Sequence, residues 1–199
     1  MLVDSCEVRA QLTAIAAETY RLGLQSQRSG NLSVRIEPGS HFLITRAGSK
    51  MGSLHPNRDF VLAEVHGTVP PAASSEALVH QRIYQLTDHD AILHSHPPCA
   101  IAIALAAGRI PLVYNEARAV FGDGRAIAVV DSTARNEGGE EPDAVGGGFA
   151  NSDAVMVKGH GLFVACADMD TCLYLSTLVE INAKICSMVE RYGVAAGLK

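Results

Sequence analysis

Histidines 94 and 96 stand one residue apart in Ala91-Ile92-Leu93-His94-Ser95-His96. The apolar run that precedes them reads as a strand, and alternate side chains of a strand share a face. Both imidazoles therefore point the same way. Two neutral imidazoles so placed suit a divalent metal such as zinc; the plainer reading is two polar residues at a strand end. A third histidine, in Lys158-Gly159-His160-Gly161-Leu162, lies at a tight connection of two apolar strands, where glycine permits close backbone approach. With the pair it would complete a three-histidine site with open positions, which catalytic zinc needs and structural zinc does not leave. Cys99 follows His96 closely enough to be a fourth ligand, but after Pro97-Pro98 it reads better as a packing residue of the next helix. Manganese, cobalt and iron accept the same ligands.

Ser74-Ser75-Glu76 is the second chemical signal. Two hydroxyls and the N–H groups of a starting helix make an anion site. A capping box would place Ser or Thr three residues before the glutamate. That position is Ala73, so Glu76 is read as an acid or base rather than a cap. In Arg28-Ser29-Gly30-Asn31-Leu32-Ser33, Gly30 and Asn31 tolerate positive φ and can aim backbone N–H groups at an anion. Thr45-Arg46-Ala47-Gly48-Ser49-Lys50 is another turn of this kind, without the spacing of a P-loop.

The elements that must position these residues follow from periodicity. A helix is expected over 6–26, capped by Asp4 or Ser5 and broken at Arg28-Ser29-Gly30. Strands are expected over 32–36, 42–45 and 60–65, with Pro38-Gly39 turning the first hairpin. A helix from Ser74 to about Leu86, a strand over 91–96 and a helix over 99–107 come next, then a strand over 126–130. Residues 132–148 are polar, acidic and Gly-rich, with room for a short helix. Strands over 153–158 and 162–166 precede a last helix from about Met169 to Tyr192. Its buried stripe reads as Leu173, Leu178, Ile181, Ile185, Met188 and Tyr192, with Gly193 as the stop. Turn-linked strands argue for antiparallel pairing, and interspersed helices for cover on both faces. The chain reads as a single α/β domain over 1–199 with a mostly antiparallel central sheet.

The 199 residues are 48% hydrophobic and 19% charged, which fits a globular chain with a real core. Aromatic residues are 5% with no Trp, so small apolar side chains carry much of the packing. A net charge of −5 excludes an electrostatically driven nucleic-acid binder. No apolar run reaches membrane-spanning length, and the N-terminus has no signal-peptide pattern. Five cysteines without a C-x-x-C pair read as reduced thiols of a cytoplasmic protein. His41, His55, His66, His80 and His89 need no function. His80, four residues after Glu76, shares its helix face and could hydrogen-bond it, but a core or surface histidine is the plainer reading.

Taken together, Ser29-Gly30-Asn31-Leu32-Ser33-Val34-Arg35, Ile44-Thr45 with Gly48, Ser74-Ser75-Glu76, His94-Ser95-His96 and Gly159-His160-Gly161-Leu162 resemble the class II aldolase/adducin family over nearly the whole chain. The resemblance implies a three-layer α/β/α domain and a homotetramer with sites near subunit interfaces. It implies that His94, His96 and His160 hold zinc and that Glu76 is the acid/base. Gly30, Asn31, Gly48, Ser74 and Ser75 would cradle a phosphate. The implied reaction is a zinc-dependent lyase step on a small phosphorylated ketose, breaking or forming a C–C bond through a metal-stabilised enediolate. Only four lysines are present and none has a Schiff-base setting, which disfavours the lysine-dependent route. Dehydration of a methylthioribulose phosphate, 4-epimerisation and decarboxylation are rival reactions on the same scaffold. An adducin-like interaction module is the non-enzymatic rival, against which the complete ligand set and Glu76 stand. Arg28 replaces a small hydroxyl residue of the family and Arg46 a proline. Tyr114 lies near a tyrosine of the aldolases, and the chain ends at Lys199 without the further C-terminal segment of some of them.

Overall fold

The computed structural model of the chain describes residues 3–37, 39–131 and 142–195. In chain order the elements are α1 (Cys6–Arg21), β1 (Asn31–Ile36), β2 (His41–Thr45), β3 (Phe60–Glu64), α2 (Ala77–Leu86), β4 (Ala91–Ser95), α3 (Pro98–Ala107), β5 (Ile110–Pro111), α4 (Asn115–Phe121), β6 (Ala126–Val130), α5 (Pro142–Gly148), β7 (Ala154–Val157), β8 (Gly161–Cys166) and α6 (Met169–Ala195). The strands form one sheet in the order β3-β2-β1-β4-β8-β7-β6-β5. Neighbours run antiparallel except β6 and β7, which are parallel.

The sheet is buried on both faces because its strands alternate between two cores. On β4 and β8, Ala91, Leu93, Leu162 and Val164 face the core under α1, α3 and α6. Ile92, Phe163 and Ala165 face the other core, where Val79 and Ile83 of α2 meet Val145 of α5. The result is three layers. Period-2 alternation then fixes the site, since His94 lies between Leu93 and Ser95 and so on the α2 side of the sheet.

Several elements differ from the sequence expectation. Helix α1 stops at Arg21 instead of running to 26, because Gly23 turns at φ +72° and Leu24 is tucked into the interior. Its N-cap is Ser5, whose Oγ accepts from the Val8 N–H at 3.3 Å, while Asp4 pairs with Arg9. Strand β5 and helix α4 have no counterpart in the sequence expectation. The short helix allowed for in 132–148 is α5, and residues 132–141 lie outside the described ones, as does Pro38 of the first hairpin. Gly39 in that hairpin has φ +97°.

Helix α6 continues through Gly193, and its buried face is rotated from the expected stripe. Ile181 and Met188 are 45% and 56% exposed, whereas Cys172, Leu175, Val179, Ala183 and Cys186 are buried with Leu178. Among the described residues α6 contains the one stretch apolar and long enough to cross a bilayer, and half of that stretch is buried in the fold. The buried face also carries three polar groups that periodicity does not anticipate, Ser176, Glu180 and Asn182. Glu180 accepts from the Cys99 and Ala100 N–H groups at 3.1 Å, capping the start of α3. Asn182 accepts from the Val113 and Tyr114 N–H groups and donates to the Pro111 carbonyl, fixing the turn between β5 and α4.

The Glu180 cap predicts a stability loss. Glu180→Ala removes the acceptor for one buried and one half-buried N–H group and should cost about 1–3 kcal/mol in urea denaturation. An unchanged midpoint would show that α3 does not depend on this carboxylate.

Candidate metal centre and anion cavity

His94 is the last but one residue of β4, and the backbone passes directly into Pro97-Pro98 after His96. The His96 N–H donates to the Leu24 carbonyl at 2.6 Å, which holds this exit against the turn after α1. His160 tops the turn between β7 and β8. Gly159 there has φ +71°, and the His160 N–H donates to the Val157 carbonyl at 3.0 Å. Antiparallel pairing of β4 with β8 sets Ser95 opposite Leu162 and brings the two ends together.

The three imidazoles form a nearly equilateral triangle, with ring centroids 4.8, 4.8 and 4.9 Å apart. One nitrogen from each lies within 4.8 Å of the others, and the Nε2 atoms of His94 and His96 are 3.0 Å apart. His94 Nδ1 donates to the Leu162 carbonyl at 3.1 Å, which directs its Nε2 lone pair into the triangle. Phe163, its register partner on β8, stacks beneath it at 4.0 Å. Burial pushes His94 well below the usual imidazole range, aided by His96 and His160, and lowers His96 to about 4 by burial and then His160. Both are therefore neutral near pH 7, the ligating form. Ligand nitrogens around a tetrahedral ion at about 2.1 Å are about 3.4 Å apart, a spacing that falls between the 3.0 Å of the His94–His96 pair and the 4.8 Å limit of the cluster.

Gly161 is what allows this approach. A Cβ there would lie 2.6 Å from the Ser95 carbonyl oxygen, 2.7 Å from His94 Cε1 and 2.8 Å from His96 Cδ2. Gly30 does the same on the other side. It has φ +77°, and its Cβ would lie 2.7 Å from the His94 carbonyl oxygen.

All nine residues expected at the site line one cavity of about 330 Å³: His94, His96, His160, Glu76, Gly30, Asn31, Gly48, Ser74 and Ser75. Arg28 and Arg46 line it as well. Glu76 is 7% exposed and occupies the cap position of α2, with no capping bond from its side chain. The helix therefore begins at Ala77, after the two serines rather than at them. The Ser74 N–H donates to the Thr45 carbonyl at 3.0 Å, which ties the serines to the end of β2. Gly48 turns at φ +73°.

Other candidates fall elsewhere. Cys99 lies in the first turn of α3, outside the histidine cluster. Tyr114 donates to Glu116 at 2.8 Å and does not line the cavity. His80 is fully buried, and its Nδ1 bonds Ser33 Oγ at 2.7 Å, with Tyr84 hydroxyl on the same oxygen at 2.8 Å. Burial lowers it to about 3, so it is a neutral core group. Ser29, Thr45 and Ser49, which line the cavity too, belong to the two turns singled out in the sequence; sequence reasoning missed Met51 as a lining residue, and Leu162 and Phe163 as the groups that set the His94 ring. The register of β4 against β8 would have found the last two, but no local pattern gives it.

Residues 10–187 match the model of the class II aldolase and adducin N-terminal domain. The chain is 27% identical over 180 residues to the L-fuculose phosphate aldolase of Escherichia coli K12, covering 88% of this chain and 80% of that protein. It is 32% identical over 108 residues to a probable bifunctional methylthioribose-1-phosphate isomerase/methylthioribulose-1-phosphate dehydratase of Nocardia farcinica. That match covers 52% of this chain and 19% of the longer protein. The crystal structure of L-fuculose-1-phosphate aldolase from Thermus thermophilus superposes with a TM-score of 0.87 at 25% identity, covering 96% of this chain and 98% of that one. The chain belongs to the class II aldolase and adducin family.

The close approach at Gly161 yields a direct prediction. Gly161→Ala should weaken zinc binding at least about tenfold in calorimetric titration, with the far-ultraviolet circular dichroism unchanged. Gly147→Ala, where a Cβ meets nothing within 4 Å, serves as the control and should bind as the parent does. Equal affinity of the two variants would contradict the packing argument.

Proposed function

We propose that this family member is a metal-dependent lyase that cleaves or forms a C–C bond in a small phosphorylated ketose. The observation that carries the reading is the meeting of three imidazoles, a buried carboxylate and a hydroxyl- and glycine-lined anion cradle in one cavity. His94, His96 and His160 would hold the ion, and imidazole nitrogens favour zinc among the common candidates. Bound there, the ion would supply Lewis-acid polarisation of substrate oxygens.

The remaining work belongs to the chain's own residues. Ser74 and Ser75 offer hydroxyls to a phosphate, and Asn31 its amide. The Gly30 and Gly48 turns let backbone approach closely. This cradle orients the substrate, so that the bond to be broken lies between it and the histidines. Glu76 moves the proton. In cleavage the hydroxyl of the carbon that becomes the aldehyde gives up its proton as the C–C bond breaks, and Glu76 delivers a proton to the carbon that loses its bonding partner, so that one O–H is exchanged for one C–H; condensation runs the same transfers in reverse. Its burial at the cavity wall keeps the carboxylate fixed and shielded from bulk water.

A second reading, loss of water from a methylthioribulose phosphate, is favoured by the resemblance to the Nocardia farcinica protein. Mass analysis of products separates the two, since cleavage gives two fragments and dehydration a single product lighter by one water.

The test is an assay for dihydroxyacetone phosphate released from L-fuculose 1-phosphate and related ketose phosphates. Chelation should abolish release and zinc should restore it. Glu76→Gln should lower kcat by about 10²- to 10⁴-fold while metal content is retained. Activity that persists after complete metal removal, or a Glu76→Gln variant with the parent rate, would overturn the lyase reading.

A further inference from the structure

Outside the metal and cradle cavity lies a second one, of about 500 Å³. The two share a wall made of Arg28, Arg46, Ala47, Gly48 and Ser49. The cradle loop after β2 is therefore a sill between an inner and an outer chamber, and two guanidinium groups stand on it. Each is anchored by one N–H alone: Arg28 Nη1 donates to the Gly48 carbonyl at 3.1 Å, and Arg46 Nε donates to the Arg58 carbonyl at 3.1 Å. The rest of each planar fork remains available for a bidentate oxyanion.

The charge around the sill is uncompensated. Among the described residues no carboxylate pairs with Arg28, Arg46 or Lys50, all of which line the outer chamber. Its single acid, Asp59, is held by Arg58 through contacts of 2.8 and 2.9 Å and accepts from the His55 N–H at 2.8 Å. A chain with net charge −5 thus concentrates cations at one opening. Exposed arginines commonly point to solvent with an acid nearby; these two border both chambers instead.

We propose that the ligand of this site carries a second anionic group, a phosphoryl or a carboxylate, held by Arg28 and Arg46 in the outer chamber. The inference rests on reading the inner cavity as a phosphate cradle. It makes the two arginines specificity-determining residues and narrows the substrate class from a ketose phosphate with a single anionic group to one with anionic groups on both sides of the sill.

The experiment is calorimetric titration of the zinc-loaded full chain with n-propyl phosphate, 1,3-propanediol bisphosphate and 4-phosphobutanoate. At least one of the two-anion probes should bind ten times tighter or more than n-propyl phosphate. Preference for the bisphosphate assigns a phosphoryl to the outer chamber, and preference for 4-phosphobutanoate a carboxylate. In the double variant Arg28→Gln, Arg46→Gln the ratio of two-anion affinity to n-propyl phosphate affinity should fall to about one. Equal binding of all three probes to the parent, or a variant that loses every probe equally, would overturn the inference and leave the cradle reading standing. If n-propyl phosphate binds neither protein, the cradle reading itself fails, and the inference with it.

Discussion

The antiparallel contact of β4 with β8 is the constraint on which the site rests. It joins residues that are 68 positions apart in the sequence, through the bond from His94 to the Leu162 carbonyl. It places Phe163 under the His94 ring, and it brings Gly161 so near both members of the histidine pair that no side chain fits there. Burying several imidazole nitrogens is costly unless each has a partner. Here the far nitrogen of His94 is met by backbone, and the near ones converge on one point. The arrangement is costly as a core and sensible as a ligand set.

The remaining architecture serves that contact. The outer layer of α1, α3 and α6 closes one face of the sheet, and its buried Thr19, Glu180 and Asn182 are each bonded to backbone groups. On the other face, the Ser33, His80 and Tyr84 network fills the space behind α2 with neutral groups. That leaves the rim, where the turns at Gly30 and Gly48 and the Ser74-Ser75-Glu76 entry to α2 gather around the histidines. Charge is distributed in keeping with this division: a chain acidic in sum has a basic sill at its opening.

Much of the site was legible because its signals are local. His94-Ser95-His96 needs only the strand period, and Gly159-His160-Gly161 only the recognition of a tight turn. What joins them is the register of strands, which is set by both cores at once and leaves no mark in either segment. The same limit explains the errors in the fold. Strand β5 has two residues, too few for any periodicity. Ile181 and Met188 look like core residues by spacing, yet the face is turned by Glu180 and Asn182, whose roles depend on α3 and β5. His80 is the core histidine that the plainer reading expects, although its partner, Ser33 on a neighbouring strand, is one that helix geometry cannot supply.

X-ray absorption spectroscopy at the zinc edge of the metal-loaded protein tests the central claim most directly. The account predicts three imidazole nitrogens at about 2.0–2.1 Å together with light-atom scattering from non-protein oxygen, and no sulfur. A sulfur contribution at about 2.3 Å, or fewer than three imidazoles around the ion, would contradict it.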